Sequence, residues 1–596
     1  MCPVPLSGCG SAAYSAALKK RESMNYPVPF RIKFSGEAGE GILTIGDILL
    51  EAMVRDGSFG TLYKSFPSSV RSGQSQVIVS VSEEKIITPV DLVDAVYVIN
   101  NSSLSTAAND LKPGGIIIFD SEFKKISSID RYINQLKAGG FKLYEIPYTL
   151  FNREGVNIET MKSTIALGVV SWIFSIPVRV VENILCRKLQ PKGDAVVQSN
   201  RAALLNAYDL ISKIPGNSQV ITVRHKPQSI KKRIILDGNE ALSIAAVHAG
   251  CTFFSCYPIT PATSIGEFLS RILPQSGGIV YQAEDEIAAL CAVSGAAFSG
   301  CRAMTATSGP GLSLMQEFIS YLSMTELPAV IVDVQRLGPS TGMPTKFGQD
   351  DLLAAVFGGH GEDQRIVVSP LSVEDSIYTT VAAFNLAEKY RCPVILLSDS
   401  AMALSKDTIS YPDFSQIRVQ KRGEGEGYAS ENGYEIPYRV TGLEHTIDNV
   451  PTEDVQVRAE QIQRRFEKIS LVEEENEALV HWDLESHHPY KADFAVISWG
   501  FTASVVMEAV RRIREMGYSV AACYPKLLYP VCKNAIERLI LYSSRIIIPE
   551  ANFMGQYSSI LRMYVNITPV SIRTSDGEPL LPDEIVKQVV ELAGCR

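Results

Sequence analysis

The feature that most constrains the fold is a repeated pattern in which an apolar run enters a glycine-containing turn and then a helix. It occurs at residues 30–54, 304–314 and 494–516 of the 596-residue sequence. Two further apolar runs, 94–100 and 115–120, also have the length of strands. Parallel strands need long crossovers, so strands that alternate with helices are typical of parallel sheets. The sequence therefore predicts an α/β protein with three parallel-sheet units.

Changes in composition predict where these units begin and end. We expect a disordered leader at 1–29, an α/β domain at 30–215, a linker at 216–233, a second α/β domain at 234–404, a polar connecting segment at 405–490 and a third α/β domain at 491–596. The linker carries several basic residues, and a solvated connector is a simpler interpretation of it than a docking patch.

Charge and hydropathy exclude several kinds of partner. The net charge is −9, and no basic stripe suggests a nucleic-acid surface. The longest apolar candidate, 165–178, is too short to cross a membrane and is better interpreted as a buried helix. The N-terminus lacks a basic region ahead of an apolar core, so it does not resemble a signal peptide. We therefore expect a cytoplasmic protein that binds neither nucleic acid nor a membrane.

A carboxylate opens an apolar helical pattern at residues 286–298. Glu286 is its first residue, and small residues later in the pattern allow close packing. A carboxylate at this position can also be no more than a first-turn charge that interacts with the helix dipole. Taken alone, Glu286 leaves both interpretations open.

A glycine-rich turn at residues 307–311 follows soon after. Its sequence is Thr-Ser-Gly-Pro-Gly, and it lies between a predicted strand and a predicted helix. Such a turn lets a flat cofactor or an anion approach the backbone N–H groups of the helix. Gly-Pro-Gly also occurs in ordinary loops, so the turn alone does not decide the function.

Together the two stretches resemble the pyrimidine domain of thiamine diphosphate enzymes. In that family a Glu, small apolar residues and a Gly nine positions later precede a T-S-G-P-G turn. Glu286 and Gly295 keep this spacing, whereas Glu284 and Asp285 do not. The resemblance implies that Glu286 is the catalytic carboxylate, which hydrogen-bonds the pyrimidine ring nitrogen and promotes the imino tautomer.

Further motifs resemble the larger subunit of 2-oxoacid:ferredoxin oxidoreductases, especially the 2-oxoglutarate-type enzymes. They are Y-P-I-T-P at 257–261, Q-R-x-G-P-S-T-G-x-P-T-K at 335–346, E-x-N-x-x-G-Q at 550–556, G-L-E-H at 442–445 and P-T-E-D at 451–454. The resemblance covers roughly residue 29 to the C-terminus. It implies an N-terminal gamma domain, a central pyrimidine-type thiamine diphosphate domain and a C-terminal transketolase-like domain.

The resemblance also implies roles for residues around the turn. Besides Glu286, the implied cofactor-binding residues are Tyr257, Pro258, Ile259, Ser308, Gly309 and Pro310. The implied substrate-binding residues are Thr260, Arg336, Thr341 and Lys346. A planar guanidinium can bind a 2-oxoacid carboxylate through two hydrogen bonds. From the residues alone, Arg336 could instead form a surface ion pair, Thr260 could cap a turn and Lys346 could be a solvated loop residue.

In relatives of this family the gamma domain lies near coenzyme A. Carried over to this sequence, that location predicts coenzyme A contacts from residues of two loops: Gly36, Gly39, Ser68, Ser69 and Arg71. The first loop has Gly39-Glu40-Gly41 where relatives often show Gly-Gly-Gln. Because a Glu at this position repels phosphate, dinucleotide binding by this loop is not expected.

Two features of a complete enzyme are missing from the sequence. It has no G-D-G…N motif for Mg²⁺ and diphosphate, and its eleven Cys include no C-x-x-C pair. We therefore expect no metal on this chain, and a beta subunit that carries Mg²⁺, the diphosphate site and a [4Fe–4S] cluster. The family implies an alpha2beta2 assembly in which a 2-oxoacid and coenzyme A react and ferredoxin accepts the electrons.

The expected reaction converts a 2-oxoacid and coenzyme A to acyl-CoA and CO₂ while ferredoxin is reduced. The match favours 2-oxoglutarate, but pyruvate and branched-chain 2-oxoacids stay open. One methylene in a pocket is worth only about 1–3 kcal/mol, too little to detect in one sequence. Two other hypotheses are a non-redox transketolase-like subunit and a catalytically idle scaffold subunit.

Overall fold

The computed structural model of the chain describes residues 29–55, 57–67, 73–151, 158–214, 218–219, 233–420, 441–448, 450–484, 492–543 and 545–594. The predicted leader, most of the predicted linker, and Ser68, Ser69 and Arg71 lie outside these residues. No helix among the described residues is both long enough and apolar enough to cross a bilayer.

The strands are numbered in chain order. They are β1 Phe30–Glu37, β2 Phe59–Ser65, β3 Gln74–Ser82, β4 Val93–Val98, β5 Leu111–Asp120, β6 Lys142–Ile146, β7 Arg233–Asp237, β8 Cys251–Cys256, β9 Ile279–Gln282, β10 Arg302–Thr307, β11 Ala329–Gln335, β12 Ile366–Val368, β13 Pro393–Asp399, β14 Lys406–Ser410, β15 Val480–Asp483, β16 Phe494–Ile497, β17 Val520–Pro525, β18 Leu527–Tyr529, β19 Ile546–Glu550 and β20 Val570–Arg573.

The α-helices are numbered in the same way. They are α1 Ile42–Val54, α2 Ser127–Ala138, α3 Ile158–Ile173, α4 Val178–Leu189, α5 Asp194–Ile211, α6 Gly238–His248, α7 Thr263–Ile272, α8 Glu286–Phe298, α9 Gly309–Thr325, α10 Leu352–Phe357, α11 Val373–Tyr390, α12 Ser400–Leu404, α13 Val455–Glu475, α14 Gly500–Glu515, α15 Lys533–Ile540, α16 Gln556–Tyr564 and α17 Pro582–Gly594.

The first compact unit contains residues up to 236 and a separate segment, 405–411. Its sheet has the order β6-β5-β4-β1-β3-β2-β14-β7. The half from β6 to β1 is parallel, whereas β1, β3, β2 and β14 pair antiparallel. Apolar side chains such as Ile32, Phe34 and Val79 form a core with those of α1, including Leu49. The antiparallel half was not expected from the sequence.

The second compact unit contains residues 237–404 and 412–596. One sheet has the order β18-β12-β13-β11-β10-β8-β9, and the other has the order β15-β17-β16-β19-β20. Most pairs in both are parallel, because helices cover the crossovers. The predicted α/β class with several largely parallel sheets is confirmed. The finer division into six segments stays a prediction.

Buried ion pairs attach α13 to the end of α9 within this unit. Glu326, the residue after α9, lies 3.0 Å from Nζ of Lys468 and also pairs with Arg464. Burial alone would raise the pKa of Glu326, but these two cations outweigh it and lower the pKa to about 2. Glu444 accepts hydrogen bonds from Arg458 at 2.8 Å and Arg465 at 2.6 Å. The polar connecting segment therefore contains a helix that is fixed by charge pairing.

Candidate active site

The candidate site lies at the carboxyl edge of the central parallel strands of the second unit. Thr305 of β10 is in register with Ser255 of β8, and Thr307 is in register with Asp333 of β11. The loops that follow these three strands therefore start side by side. In open α/β sheets this edge is where ligands bind.

Glu286 is held at the start of α8. The preceding residue, Asp285, caps the helix by accepting a hydrogen bond of 2.7 Å from the backbone N–H of Ala288. The Glu286 side chain is only 6% exposed, whereas Glu284 and Asp285 are exposed. Buried carboxylates are rare unless they have a partner or a function. Burial thus distinguishes Glu286 from Glu284 and Asp285.

The glycine-rich turn packs directly against Glu286. A Cβ atom at Gly311 would lie 2.0 Å from Oγ1 of Thr307 and 2.9 Å from Oε1 of Glu286. Non-bonded carbon atoms ordinarily stay about 3.5–4.0 Å apart, so any larger residue here would displace the side chains of Thr307 and Glu286. The two stretches that were singled out separately in the sequence are therefore brought together.

The start of α9 carries a buried hydroxyl and an acidic neighbour. Ser308 is fully buried, and its Oγ has no hydrogen-bond partner among the described residues. Pro310 occupies the first turn, where its missing N–H costs no hydrogen bond. A Cβ at Gly309 would lie 2.5 Å from Oδ1 of Asp351, so this carboxylate packs against the helix terminus.

The loop after β8 is fixed by an amide side chain. Nδ2 of Asn239 donates hydrogen bonds to the carbonyl of Pro261 at 3.0 Å and to Oγ of Ser264 at 2.8 Å. The loop leaves Tyr257, Pro258 and Thr260 exposed and Ile259 half-buried. Its side chains are therefore available to a ligand at the sheet edge.

Arg336 follows β11 and reaches the loop after β8. Its Nη1 donates a hydrogen bond of 2.7 Å to the carbonyl of Thr260, so the structure places these two predicted residues in contact. The Arg336 side chain is only 7% exposed, and its Nε has no hydrogen-bond partner among the described residues. The guanidinium is thus fixed through Nη1, while its Nε–H group remains without a partner among the described residues.

Two aspartates near Arg336 were missed by sequence reasoning. Burial raises the pKa of Asp333 well above its ordinary value, and the charge of Asp351 raises it further. Burial likewise raises the pKa of Asp351 to about 7, despite the opposing charge of Arg336. The signal that could have found Asp333 is a charged residue inside the apolar run Ala329–Gln335.

The other two predicted substrate-binding residues follow Arg336 in the chain: Thr341 lies within the next loop, and Lys346 lies at the end of that loop. Thr341 is exposed, and the loop is closed by a 3.1 Å hydrogen bond from the N–H of Leu337 to the carbonyl of Lys346. Nζ of Lys346 forms an ion pair with Glu578. A substrate carboxylate would therefore have to compete with Glu578 for Lys346.

The E-x-N-x-x-G-Q motif positions the segment that carries Asp351. Nε2 of Gln556 donates to the carbonyl of Asp350 at 2.6 Å, and its Oε1 accepts from the N–H of Leu353 at 2.9 Å. Buried Glu550 accepts from the N–H of Tyr557 at 2.7 Å, which fixes the start of α16. This motif therefore acts here as a support for the neighbouring loop.

The Gly36–Gly41 turn belongs to the first unit. Oε2 of Glu40 accepts hydrogen bonds from the N–H of Glu37 at 2.7 Å and from Nδ2 of Asn100 at 3.3 Å. The same carboxylate lies 2.5 Å from where a Cβ at Gly36 would be, and Gly39 has a φ of +94°. Glu40 thus caps its own loop with a negative charge.

In the part of the chain that the structure describes, no group of three or more His, Cys, Asp or Glu side chains is arranged to hold a metal ion.

Two segments of the chain match known protein families. Residues 244–470 match the family described as pyruvate flavodoxin/ferredoxin oxidoreductase, thiamine diphosphate-binding, and residues 31–210 match the family described as pyruvate ferredoxin/flavodoxin oxidoreductase. The fold and the site thus define a chain with a thiamine diphosphate-binding domain of oxidoreductase type.

Individual relatives identify the family of oxidoreductases more closely. The chain is 38% identical to 2-oxoglutarate synthase subunit KorA of Methanothermobacter marburgensis, over 60% of this chain and 98% of that protein. It is 30% identical to 2-oxoglutarate oxidoreductase subunit KorA of Mycobacterium tuberculosis, over 97% of this chain and 94% of that protein. The chain belongs to the 2-oxoacid:ferredoxin oxidoreductase family, as the alpha-type subunit.

A solved structure is similar over nearly the whole chain. It is the 2-oxoglutarate:ferredoxin oxidoreductase from Magnetococcus marinus with 2-oxoglutarate, coenzyme A and succinyl-CoA bound. The identity is 34% and the TM-score is 0.85, over 94% of this chain and 99% of that chain.

Proposed function

We propose that the chain is the large subunit of a heteromeric, thiamine diphosphate-dependent 2-oxoacid:ferredoxin oxidoreductase that acts on 2-oxoglutarate. The reaction converts 2-oxoglutarate and coenzyme A to succinyl-CoA and CO₂, and ferredoxin accepts two electrons. The observation that carries this proposal is the full-length likeness to an oxidoreductase solved with 2-oxoglutarate, coenzyme A and succinyl-CoA bound.

The residues near Glu286 fit the pyrimidine end of thiamine diphosphate. A buried carboxylate, a glycine in close contact with it and an unpartnered buried hydroxyl at Ser308 meet at one edge of the sheet. When bound, the cofactor supplies an electron sink for decarboxylation. Glu286 would hold a proton at the pyrimidine ring nitrogen. Tyr257, Pro258, Ile259, Gly309 and Pro310 would line the same binding site.

Arg336 and Thr260 are the proposed substrate-binding pair. The guanidinium keeps unused donors beside the Thr260 loop, and a carboxylate is the ligand that best matches such donors. The exposed hydroxyl of Thr260 would orient the substrate carbonyl. Thr341 and Lys346 would contact the far end of the substrate if the Lys346–Glu578 ion pair opens.

We propose that coenzyme A is bound by residues of the first unit, namely Gly36, Gly39, Ser68, Ser69 and Arg71.

We propose that a beta subunit supplies Mg²⁺, the diphosphate site and a [4Fe–4S] cluster in an alpha2beta2 assembly located in the cytoplasm. The support for the beta subunit is that this sequence has no G-D-G…N motif and no C-x-x-C pair.

The test is viologen reduction by the chain co-purified with its natural partner. Pyruvate, 2-oxoglutarate and 2-oxoisovalerate are each supplied with and without coenzyme A. We expect reduction that requires coenzyme A and is fastest with 2-oxoglutarate. Preference for another 2-oxoacid would correct the substrate, and absence of viologen reduction with all three acids would favour a non-redox transketolase-like subunit or a scaffold subunit.

A matched pair of variants locates the catalytic carboxylate. Glu286→Gln removes the proton-holding group and is expected to abolish turnover. Glu284→Gln makes the same chemical change two residues away, on an exposed side chain, and is expected to keep wild-type activity. Full activity in Glu286→Gln would contradict the site assignment and favour a scaffold role.

A further inference from the structure

The aspartates near Arg336 are buried without the partners that an ionised carboxylate needs. Asp333 is fully buried, and neither of its oxygens has a hydrogen-bond partner among the described residues. Oδ2 of Asp351 is also buried and has no hydrogen-bond partner among the described residues. An ionised carboxylate only accepts hydrogen bonds, and burying one without donors is strongly unfavourable. Protonation greatly reduces this cost, because a neutral carboxyl is much cheaper to bury than a charged one.

The position of Asp351 is fixed by its backbone. Its N–H donates to Oε1 of Gln335 at 3.2 Å, and Gln556 hydrogen-bonds the backbone of Asp350 and of Leu353. Its carboxylate packs against Gly309 at the start of α9. Asp351 therefore cannot move away from the site to reach water at low cost.

The charged groups that act on Asp351 come from three segments. Asp350 adds negative charge from its own loop, Arg336 adds positive charge from the end of β11, and Asp333 faces it from within β11. Glu286 on α8 lies against Gly311, two residues from Gly309. Burial and Asp350 together outweigh Arg336 and leave the pKa of Asp351 at about 7.

The ionisation of this pair determines the net charge around Arg336. With both aspartates ionised, the cluster of Asp333, Asp351 and Arg336 carries a net negative charge, which repels an anionic substrate. With both aspartates neutral, the cluster keeps the full positive charge of Arg336. No carboxylate among the described residues forms an ion pair with Arg336, so its charge is available to a ligand.

We propose that Asp333 and Asp351 are positioning residues that are protonated when a 2-oxoacid binds, so that Arg336 keeps a net positive charge for the substrate carboxylate. This inference rests on the proposed function of the site. Binding of the anion favours the protonated form of Asp351, so it takes up a proton from solvent. The affinity for the 2-oxoacid is complete at low pH and is lost as the pH rises above that pKa.

The first measurement uses the co-purified complex and needs no change to the aspartates. The KM for 2-oxoglutarate is measured by viologen reduction from pH 6 to pH 9. We expect KM to rise about tenfold per pH unit at the alkaline end, as linkage to one proton requires, while kcat changes much less. Calorimetric titration of the Glu286→Gln complex with 2-oxoglutarate, in two buffers of different ionisation enthalpy, should show proton uptake near pH 7.

The second measurement uses variants of the pair. Asp351→Asn keeps the shape but cannot ionise, so its KM should be nearly independent of pH and below the wild-type value at pH 9. If Asp351→Asn does not fold, Asp350→Asn is the second variant: loss of this neighbouring negative charge lowers the pKa of Asp351, so KM should begin to rise at a lower pH than in the wild type. The Glu284→Gln complex is the control and should keep the wild-type profile.

The possible results distinguish failure of the proposed protonation from failure of the proposed function. Turnover of a 2-oxoacid with a pH-independent KM and no proton uptake would overturn the inference alone. A wild-type pH profile in Asp351→Asn would also overturn it. Absence of turnover with every 2-oxoacid would overturn the proposed function and this inference together.

Discussion

Replacement of Gly311 by Ala tests the geometry of the site without removing a functional group. The added methyl would lie 2.0 Å from Oγ1 of Thr307, 2.7 Å from Cγ of Glu286 and 2.9 Å from its Oε1. An unstrained contact needs about 3.5–4.0 Å, so the Glu286 side chain must shift by roughly 1 Å. The variant therefore keeps the carboxylate but displaces it.

The size of the effect follows from two opposing contributions. Overpacking a well-filled interior costs about 1–3 kcal/mol. Ala is favoured over Gly inside a helix by about 1 kcal/mol, so the net loss of folding free energy should be about 0–2 kcal/mol. Displacement of a catalytic group by about 1 Å can cost about 100-fold in rate. We therefore expect kcat to fall about 100-fold in a protein that is still folded.

The assay is viologen reduction with 2-oxoglutarate and coenzyme A, alongside a thermal unfolding scan. Gly295→Ala is the matched control, because it makes the same substitution in α8 where no atom lies within 4 Å of the new methyl. It reports the helix-propensity effect alone and should stabilise the fold slightly. A wild-type kcat in Gly311→Ala would refute the argument that close packing positions Glu286.

Three further predictions concern the buried ion pairs and coenzyme A. Glu326→Gln should destabilise the fold by about 3–5 kcal/mol, because buried Lys468 loses its counter-charge; an unchanged denaturation midpoint would contradict this. The pKa values of Glu326 and Glu444 are about 2 in the folded chain and 4.5 ordinarily, so their stabilisation is complete above pH 4.5 and is lost as the pH falls towards 2. Melting temperatures across that interval should fall less steeply for Glu326→Gln than for wild type. Arg71→Ala should raise the KM for coenzyme A, and an unchanged KM would remove Arg71 from the proposed contacts.

Local patterns predicted the elements of the site well. The helices Ile42–Val54 and Glu286–Phe298 have the expected bounds, and the strand, turn and helix around residues 307–311 are found as expected. These elements follow from periodicity and from glycine, which act over a few residues. The contact between Glu286 and the backbone at Gly311 is seen only in the fold, although both stretches were singled out in the sequence.

Contacts between distant segments could not be predicted in this way. Asp333 and Asp351 are 18 positions apart, and tertiary contacts such as the Gln556 hydrogen bond to Asp350 and the Gln335 hydrogen bond to Asp351 bring Asp351 near Arg336. The ion pair of Lys346 with Glu578 joins residues 232 positions apart. Nor does any local pattern show that the strand at Lys406–Ser410 belongs to the sheet of the first unit.

That strand has a consequence for synthesis of the chain on the ribosome. β2 ends at Ser65, whereas its outer neighbour β14 begins at Lys406, about 340 residues later. At about 5–20 residues per second, roughly 20–70 s pass before the outer edge of β2 can be covered. An uncovered strand edge can pair with other chains. The sheet of the first unit is thus completed only after the residues of the candidate site up to Asp351 have been translated, so a nascent chain stalled before Lys406 should be prone to aggregation.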